Sequence, residues 1–374
     1  MNYAFLTSVF LVAIIAGWII IPQIVLIAFK KRLFDVVDSR KVHVNIIPRL
    51  GGISFAPTQC CLMVLSIFFM HKLRLNDIDA SSLIYMFLLL ICGLVLLFLM
   101  GIKDDLVGVN YKWKLAMQVL VALFFPLTDI WINNLYGFWG VTTLSPAIGM
   151  PLTVFLVVYI INAINLIDGI DGLCAGIVGL TCLVLGVLFV CRSSWLHAVF
   201  AFITVGVLIP FFYYNVHGLS QKRQRIFMGD TGSLTLGFSV AFLVISYAMN
   251  NPLIKKNDEG ALVVAFATLI IPMLDVLRVM LIRLRLRKPI FLPDRNHIHH
   301  KLLQIGFSHH QTLIVILLAE IVFILTNVVA AQWVNCNMLI CIDLILWCSL
   351  HLVLWQIDVF MLKQKMKNQS LNID

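Results

Sequence analysis

Long apolar runs separated by short polar connections organise this chain. They fall near residues 3–29, 50–70, 82–101, 113–128, 150–167, 172–191, 195–214, 231–249, 261–282, 312–332 and 336–360. Each reaches or approaches the roughly 20 residues that a helix needs to cross hydrocarbon. The pattern predicts an all-α, polytopic integral membrane protein with about eleven transmembrane helices and one membrane-embedded domain over residues 1–374. Pro22, Pro57, Pro210 and Pro272 interrupt several runs, which membrane helices tolerate when neighbours satisfy the freed carbonyls. The first run starts at Tyr3 without a basic flank or a small-residue cleavage site, so it is expected to stay as a helix.

Composition agrees. The chain is 61% hydrophobic and 12% charged, against about 45–50% and about 25% in soluble domains. Nine cysteines are scattered through the runs without a C-x-x-C pair, and read as small buried hydrophobes. The net charge of +9 says more about topology than about nucleic acid, and no nucleic-acid partner is expected. Alternate connections (30–49, 102–114, 215–230, 283–311 and the C-terminal tail) hold twenty-one of the Lys and Arg residues, and the others hold five. The positive-inside rule then puts the basic set in the cytoplasm, the N-terminus outside and the C-terminus inside. Parity places the 163–171 connection on the cytoplasmic side as well, although it carries no Lys or Arg.

Candidate chemistry gathers on that face. In MGIKDDLVGVNYKWK the adjacent acids Asp104 and Asp105 repel, which suits a proton acceptor or a divalent cation, with Lys103, Lys112 and Lys114 nearby. In INAINLIDGIDGL, Asp168 and Asp171 stand three residues apart and project together from one helix face, with Asn162 and Asn165 one turn earlier. Gly169 and Gly172 would leave room there for substrate or another helix. In RIFMGDTGSL, a helix starting beside Asp230 would offer free N–H groups to an anion, with a carboxylate for a metal-bound phosphate. FLPDRNHIHHKLLQIGFSHH clusters His297, His299 and His300 beside Asp294 and Arg295, ahead of a short amphipathic segment ending at Gly306. Zinc needs three or four converging ligands in a rigid site, so phosphate donors are the stronger reading of that cluster. DSRKVHVNIIPRLGG adds Arg40, Lys41, Arg49 and a glycine pair, a weak signal alone. Together these suggest metal-assisted phosphoryl chemistry joining a soluble and a lipid-borne phosphate, with Mg²⁺ or Mn²⁺. A secondary transporter would instead place its acids near the bilayer midplane in a repeated half, and here they collect at span ends with no repeat visible.

DDLVGVNYKWK, NAINLIDGIDGL, FMGDTGSL and PDRNHIHHKL, in this order, resemble the polyprenyl-phosphate N-acetylhexosamine-1-phosphate transferases. The resemblance covers roughly residues 35–310, with the last two helices and the tail over 312–374 carrying no motif. The HIHH form is similar to the WecA-like branch, the undecaprenyl-phosphate alpha-N-acetylglucosaminyl 1-phosphate transferases. In the branch using UDP-N-acetylmuramoyl-pentapeptide, an aromatic and an acid usually follow the histidines, where Lys301 and Leu302 stand here. That reaction is the nearest alternative.

The resemblance implies transfer of N-acetylglucosamine 1-phosphate from UDP-N-acetylglucosamine to undecaprenyl phosphate, releasing UMP, with Mg²⁺. It implies that Asp104 and Asp105 activate the lipid phosphate, that Asp168 and Asp171 act in the catalytic or nucleotide region, and that Asp230 and Asn165 hold the metal. It implies that Lys114 holds the diphosphate, and that Asp294, Arg295, His297, His299 and His300 close over the sugar nucleotide. It further implies a bacterial inner membrane location, a cytoplasmic active site and a homodimer.

Overall fold

A computed structural model describes residues 3–31, 48–73, 80–218, 225–252, 254, 259–288 and 296–370. In chain order the helices are α1 (Tyr3–Lys31), α2 (Phe55–Lys72, entered through a 3-10 turn at Gly51–Ser54), α3 (Ala80–Val107), α4 (Tyr111–Ala122) and α5 (Phe124–Leu127). A hairpin of β1 (Asn134–Phe138) and β2 (Val141–Thr143) follows. Then come α6 (Pro146–Ile167), α7 (Leu173–Cys191), α8 (Trp195–Val216), α9 (Gly229–Ala248), α10 (Ala261–Ala267) and α11 (Ile270–Arg285). The chain ends with α12 (Ile298–Ile305), α13 (His309–Ala330) and α14 (Cys336–Ser370).

Among the described residues, nine helices are long and apolar enough to cross a membrane, and α10 with α11, bent by 77°, is either a broken tenth span or a re-entrant loop. The expected run at 113–128 is different. It forms α4 and α5, joined through a helical Leu123 and stopped just after Pro126. Residues 111–127 give about 26 Å of helix at roughly 1.5 Å per residue, short of the roughly 30 Å of hydrocarbon. The segment nevertheless runs between the same two ends as α9. Lys114, one turn into α4, bonds Asp230 at the start of α9. Past α5, Asn133 and the Asn250 backbone exchange two hydrogen bonds of 2.9 and 2.8 Å just beyond the end of α9.

α9 is the axis of the bundle: every residue from Thr231 to Ala248 is buried. Small side chains allow this closeness. A Cβ on Gly237 would lie 2.8 Å from Ile161 Cα, one on Gly101 2.4 Å from Thr231 Cα, and one on Gly93 2.4 Å from the Phe238 ring. Polar contacts also cross this core: Gln59 donates to the hydroxyls of Thr204 and Ser239 at 2.8 and 3.2 Å.

The all-helical expectation misses the β1–β2 hairpin, which turns through Trp139 and Gly140, both with positive φ. Two consecutive residues of positive φ mark the tight turn that matches strand twist. Asn337, at the start of α14, accepts from the Trp139 N–H and donates to the Gly137 carbonyl. The cysteines are free, and only Cys174, Cys182 and Cys336 are buried; Cys61, Cys92, Cys191, Cys341 and Cys348 are exposed on the outer faces of their helices, so burial is not their common property.

The bend between α10 and α11 lies at Thr268 and Leu269, ahead of Pro272. Its freed backbone groups find side chains, as membrane burial requires. Thr181 Oγ1 donates to the Thr268 carbonyl at 2.7 Å, and the buried Glu320 accepts from the Ile271 N–H at 3.2 Å.

Candidate active site

α3 ends in a turn through Gly108, which has φ of 78°, and Asn110 caps α4 by accepting from the Lys112 N–H at 3.0 Å. This reversal folds Lys114 back over the end of α3. Its Nζ donates to Asp104 Oδ2 at 2.8 Å and to Asp230 Oδ1 at 2.7 Å. Asp104 Oδ1 accepts from the Val109 N–H at 2.8 Å, so both of its oxygens are engaged.

Asp105 performs the capping expected of the residues around Asp230. Its carboxylate accepts from the Asp230 and Thr231 N–H groups at 2.7 and 3.0 Å and from the Thr231 hydroxyl at 2.5 Å. The start of α9 was expected to offer free N–H groups to an anion. Two of them instead bind an anion of the protein itself, drawn from α3 by the positive end of the helix. Asn165, near the end of α6, donates to Asp230 Oδ1 at 2.6 Å and to the Ser233 hydroxyl at 2.8 Å. Asn162 takes no part: it exchanges a hydrogen bond with Gln118 and serves packing between α6 and α4.

Asp168 and Asp171 are not on one helix face. α6 ends at Ile167, Asp168 is its C-cap with φ −73° and ψ 52°, and Asp171 lies in the turn before α7. The turn still presents both to one cavity. Asp171 forms an ion pair with Arg225 and accepts from Asn215 at 3.3 Å, while Asn215 also accepts from the Gly172 N–H at 2.6 Å. Asp168 makes no hydrogen bond among the described residues. Burial, then the neighbouring carboxylates Asp230, Asp171 and Asp105, raise its pKa from 3.8 to about 7.

The two glycines open space mainly for protein. A Cβ on Gly169 would meet His299 Nε2 at 2.1 Å, and one on Gly172, whose φ is 80°, would meet Val216 at 2.6 Å. His299 belongs to α12, which ends at a left-handed Gly306 as the sequence predicts. It is buried, with both ring nitrogens lacking a hydrogen-bond partner among the described residues. Burial and the adjacent His300 and His297 lower its pKa to about 3, so the ring is neutral. His297 is held by Asp275, and the rings of His299 and His300 lie 4.2 Å apart. Asp294 and Arg295 fall outside the described residues.

These elements enclose a cavity of about 340 Å³ walled by Asp105, Asn165, Asp168, Asp171, Asp230 and Arg49, among others. Arg49 belongs to the motif that is a weak signal in the sequence alone, and Arg225, which pairs with Asp171, is the residue that sequence reasoning left out. Segment 48–52 pairs with 226–228 through Phe227 N–H to Pro48 O (2.9 Å), Gly51 N–H to Phe227 O (2.9 Å) and Gly52 N–H to Met228 O (2.8 Å). The glycine pair was the available signal: a Cβ on Gly52 would sit 2.2 Å from Gly232 Cα, so this ladder forms only with glycine there.

Among the described residues no three His, Cys, Asp or Glu side chains are grouped as ligands of one ion. The donors around the cavity are oxygens, spread as a hard cation requires when one or two carboxylates hold it and phosphate and water complete its shell. Asp230, Asp168 and Asn165 fit such a cation.

Residues 86–248 match glycosyl transferase family 4. The chain is 29% identical over 297 residues to the undecaprenyl-phosphate alpha-N-acetylglucosaminyl 1-phosphate transferase of Salmonella typhi, covering 78% of this chain and 75% of that protein. The transferase of the same name from Escherichia coli (strain K12) gives the same identity and coverage. A Bacillus subtilis (strain 168) protein, named "Probable undecaprenyl-phosphate N-acetylglucosaminyl 1-phosphate transferase", is 28% identical over 335 residues, covering 87% of this chain and 86% of that one. Three of the four motifs lie within the family match over residues 86–248, and the relatives match along more than three quarters of the chain.

Proposed function

We propose that this protein transfers N-acetylglucosamine 1-phosphate from UDP-N-acetylglucosamine to undecaprenyl phosphate at the cytoplasmic face of a bacterial inner membrane, with Mg²⁺. One observation carries the reading. Lys114 bridges Asp104 to Asp230, and Asp230 lines an acid-walled cavity in which Asp168 is left without a hydrogen bond among the described residues. Acids from three separate motifs are thereby brought to one end of the bundle, beside connections rich in Lys and Arg. That supports a cytoplasmic site, with the N-terminus outside and the C-terminus inside.

A phosphate oxygen of the lipid attacks the phosphorus attached to the sugar, the bond from that phosphorus to the bridging oxygen breaks, and UMP leaves with the bonding pair. The lipid phosphate is already an anion and needs no base, so positioning and charge neutralisation do most of what is required. All four oxygens of Asp104 and Asp105 already accept protein hydrogen bonds. This supports direct attack over a phospho-aspartate. Asp105 fixes the start of α9, Asp104 orients the Lys114 ammonium, and Lys114 steadies diphosphate charge. Asp230, Asp168 and Asn165 would hold the cation, which when bound neutralises charge on the diphosphate. Arg49, in segment 48–52, lines the same cavity and faces the same charge.

The test is release of UMP by purified protein in nanodiscs containing undecaprenyl phosphate and Mg²⁺, across a panel of UDP-sugars. UDP-N-acetylglucosamine is expected to react. Reaction with UDP-N-acetylmuramoyl-pentapeptide alone would overturn the assignment.

A further inference from the structure

An acid inside the bent span holds the histidine helix. Asp275 lies in α11 and is fully buried. Its Oδ1 accepts from Arg278 Nη2 at 2.7 Å, a partner one turn along its own helix. That bond alone would account for an ordinary buried ion pair, but two further donors arrive from another element. His297 Nδ1 donates to Asp275 Oδ2 at 2.8 Å, and the Ile298 N–H donates to Oδ1 at 3.0 Å. Arg278 Nη2 also reaches the Asn296 carbonyl at 2.5 Å. His297 is the N-cap of α12 and Ile298 its first residue, and the His297 side chain does not cap its own helix. The cap comes from α11.

Two effects follow. A carboxylate accepting from Nδ1 fixes the His297 tautomer, leaving Nε2 as the nitrogen available to other groups. It also sets where α12 docks. His299 sits against Gly169, beside Asp168, yet forms no hydrogen bond among the described residues. Its place is therefore fixed by the docking of its helix, and the bonds that dock the N-terminus of that helix converge on Asp275.

We propose that Asp275 is a positioning residue for sugar-nucleotide handling, acting through His297 and the placement of α12 against Gly169 in the cavity wall. The proposal rests on the functional reading above. A shift of about 1 Å in a positioning element can cost on the order of a hundredfold in rate.

Kinetics of Asp275→Asn with both substrates varied provide the test, since the amide keeps the volume but loses the second acceptor oxygen. The KM for UDP-N-acetylglucosamine is expected to rise about tenfold or more, with that for undecaprenyl phosphate within about twofold, the pattern of lost binding to one substrate. Asp275→Glu should recover part of the loss, and Asp275→Asn with His297→Asn should be no worse than the worse single variant. Where Asp275→Asn does not purify as folded protein, Arg278→Gln carries the same expectation at smaller size. Equal loss towards both substrates, or none, overturns the proposal. An inactive wild-type protein would instead overturn the functional reading, so the two failures are distinct.

Discussion

The Cβ that residue 169 lacks would stand 2.1 Å from Nε2 of His299, so the histidine helix closes on the 168–171 turn only because a glycine is there. The contact joins two motifs 130 residues apart in the chain. Gly169→Ala should therefore displace α12. Overpacking of this kind costs about 1–3 kcal/mol, and the matching outcome is a lower thermal midpoint together with reduced UMP release. Adding His299→Ala removes the obstruction and should restore the midpoint but not the activity. A single variant indistinguishable from wild type would remove the contact from the account.

Asp105 and Asp168 both line the cavity, but only Asp105 is tied into the fold. Asp105→Ala leaves two N–H groups and a hydroxyl at the start of α9 unpaired. Losing a cap costs about 0.5–2 kcal/mol, so thermal unfolding in detergent should show lower stability as well as lost turnover. Asp168→Ala should lose turnover with stability retained.

Asp168 also gives a pH signature. Its pKa is raised in the fold, from 3.8 to about 7. The folded protein therefore holds a proton that the unfolded chain releases. The stability this contributes is complete below about pH 4 and lost as pH rises through about 7. With chelator present, Asp168→Asn should raise the melting midpoint relative to wild type at pH 8 and leave it unchanged at pH 4. A stabilisation of equal size at both values would show that the side chain titrates normally.

Lys114 separates two carboxylates that otherwise face each other. Lys114→Gln keeps a donor but removes the charge, and loss of one preorganised charge in a phosphoryl-transfer site costs about a hundredfold or more in rate. Turnover at saturating substrates is the measurement, and less than a fivefold change would take Lys114 out of the reaction.

Removal of divalent cations should abolish transfer, and Mg²⁺ or Mn²⁺ should restore it, because the donors around the cavity are hard oxygens. Asp230→Asn should stay inactive at saturating Mg²⁺. Transfer that persists after exhaustive chelation would exclude the metal role of Asp230 and Asn165.

Much of this architecture is legible in the sequence, for reasons that differ by element. Apolar runs identify helices because lipid forces the backbone to satisfy itself, and the grouping of Asp104, Lys114, Asn165 and Asp230 follows from motifs at span ends. Local spacing fails where the chain leaves the helix. Asp168 and Asp171 are brought together by a turn, not by a 3.6-residue repeat. Asp105 caps a helix 125 residues away, a relation that no window contains. Asp275 looks like one polar residue inside an apolar run, and only tertiary structure shows the histidine it grips. The hairpin at 134–143 hides because five residues of strand carry little periodicity.

The full enclosure of α9 bears on how the protein sits in its membrane. Asp230 is mounted on a rod that other helices wrap completely, while α1 and α14 present most of their surface outwards. Changes in bilayer thickness or lipid composition will be absorbed by tilting of that outer shell. The spacing between the reacting groups is thereby insulated from the solvent in which the protein is dissolved.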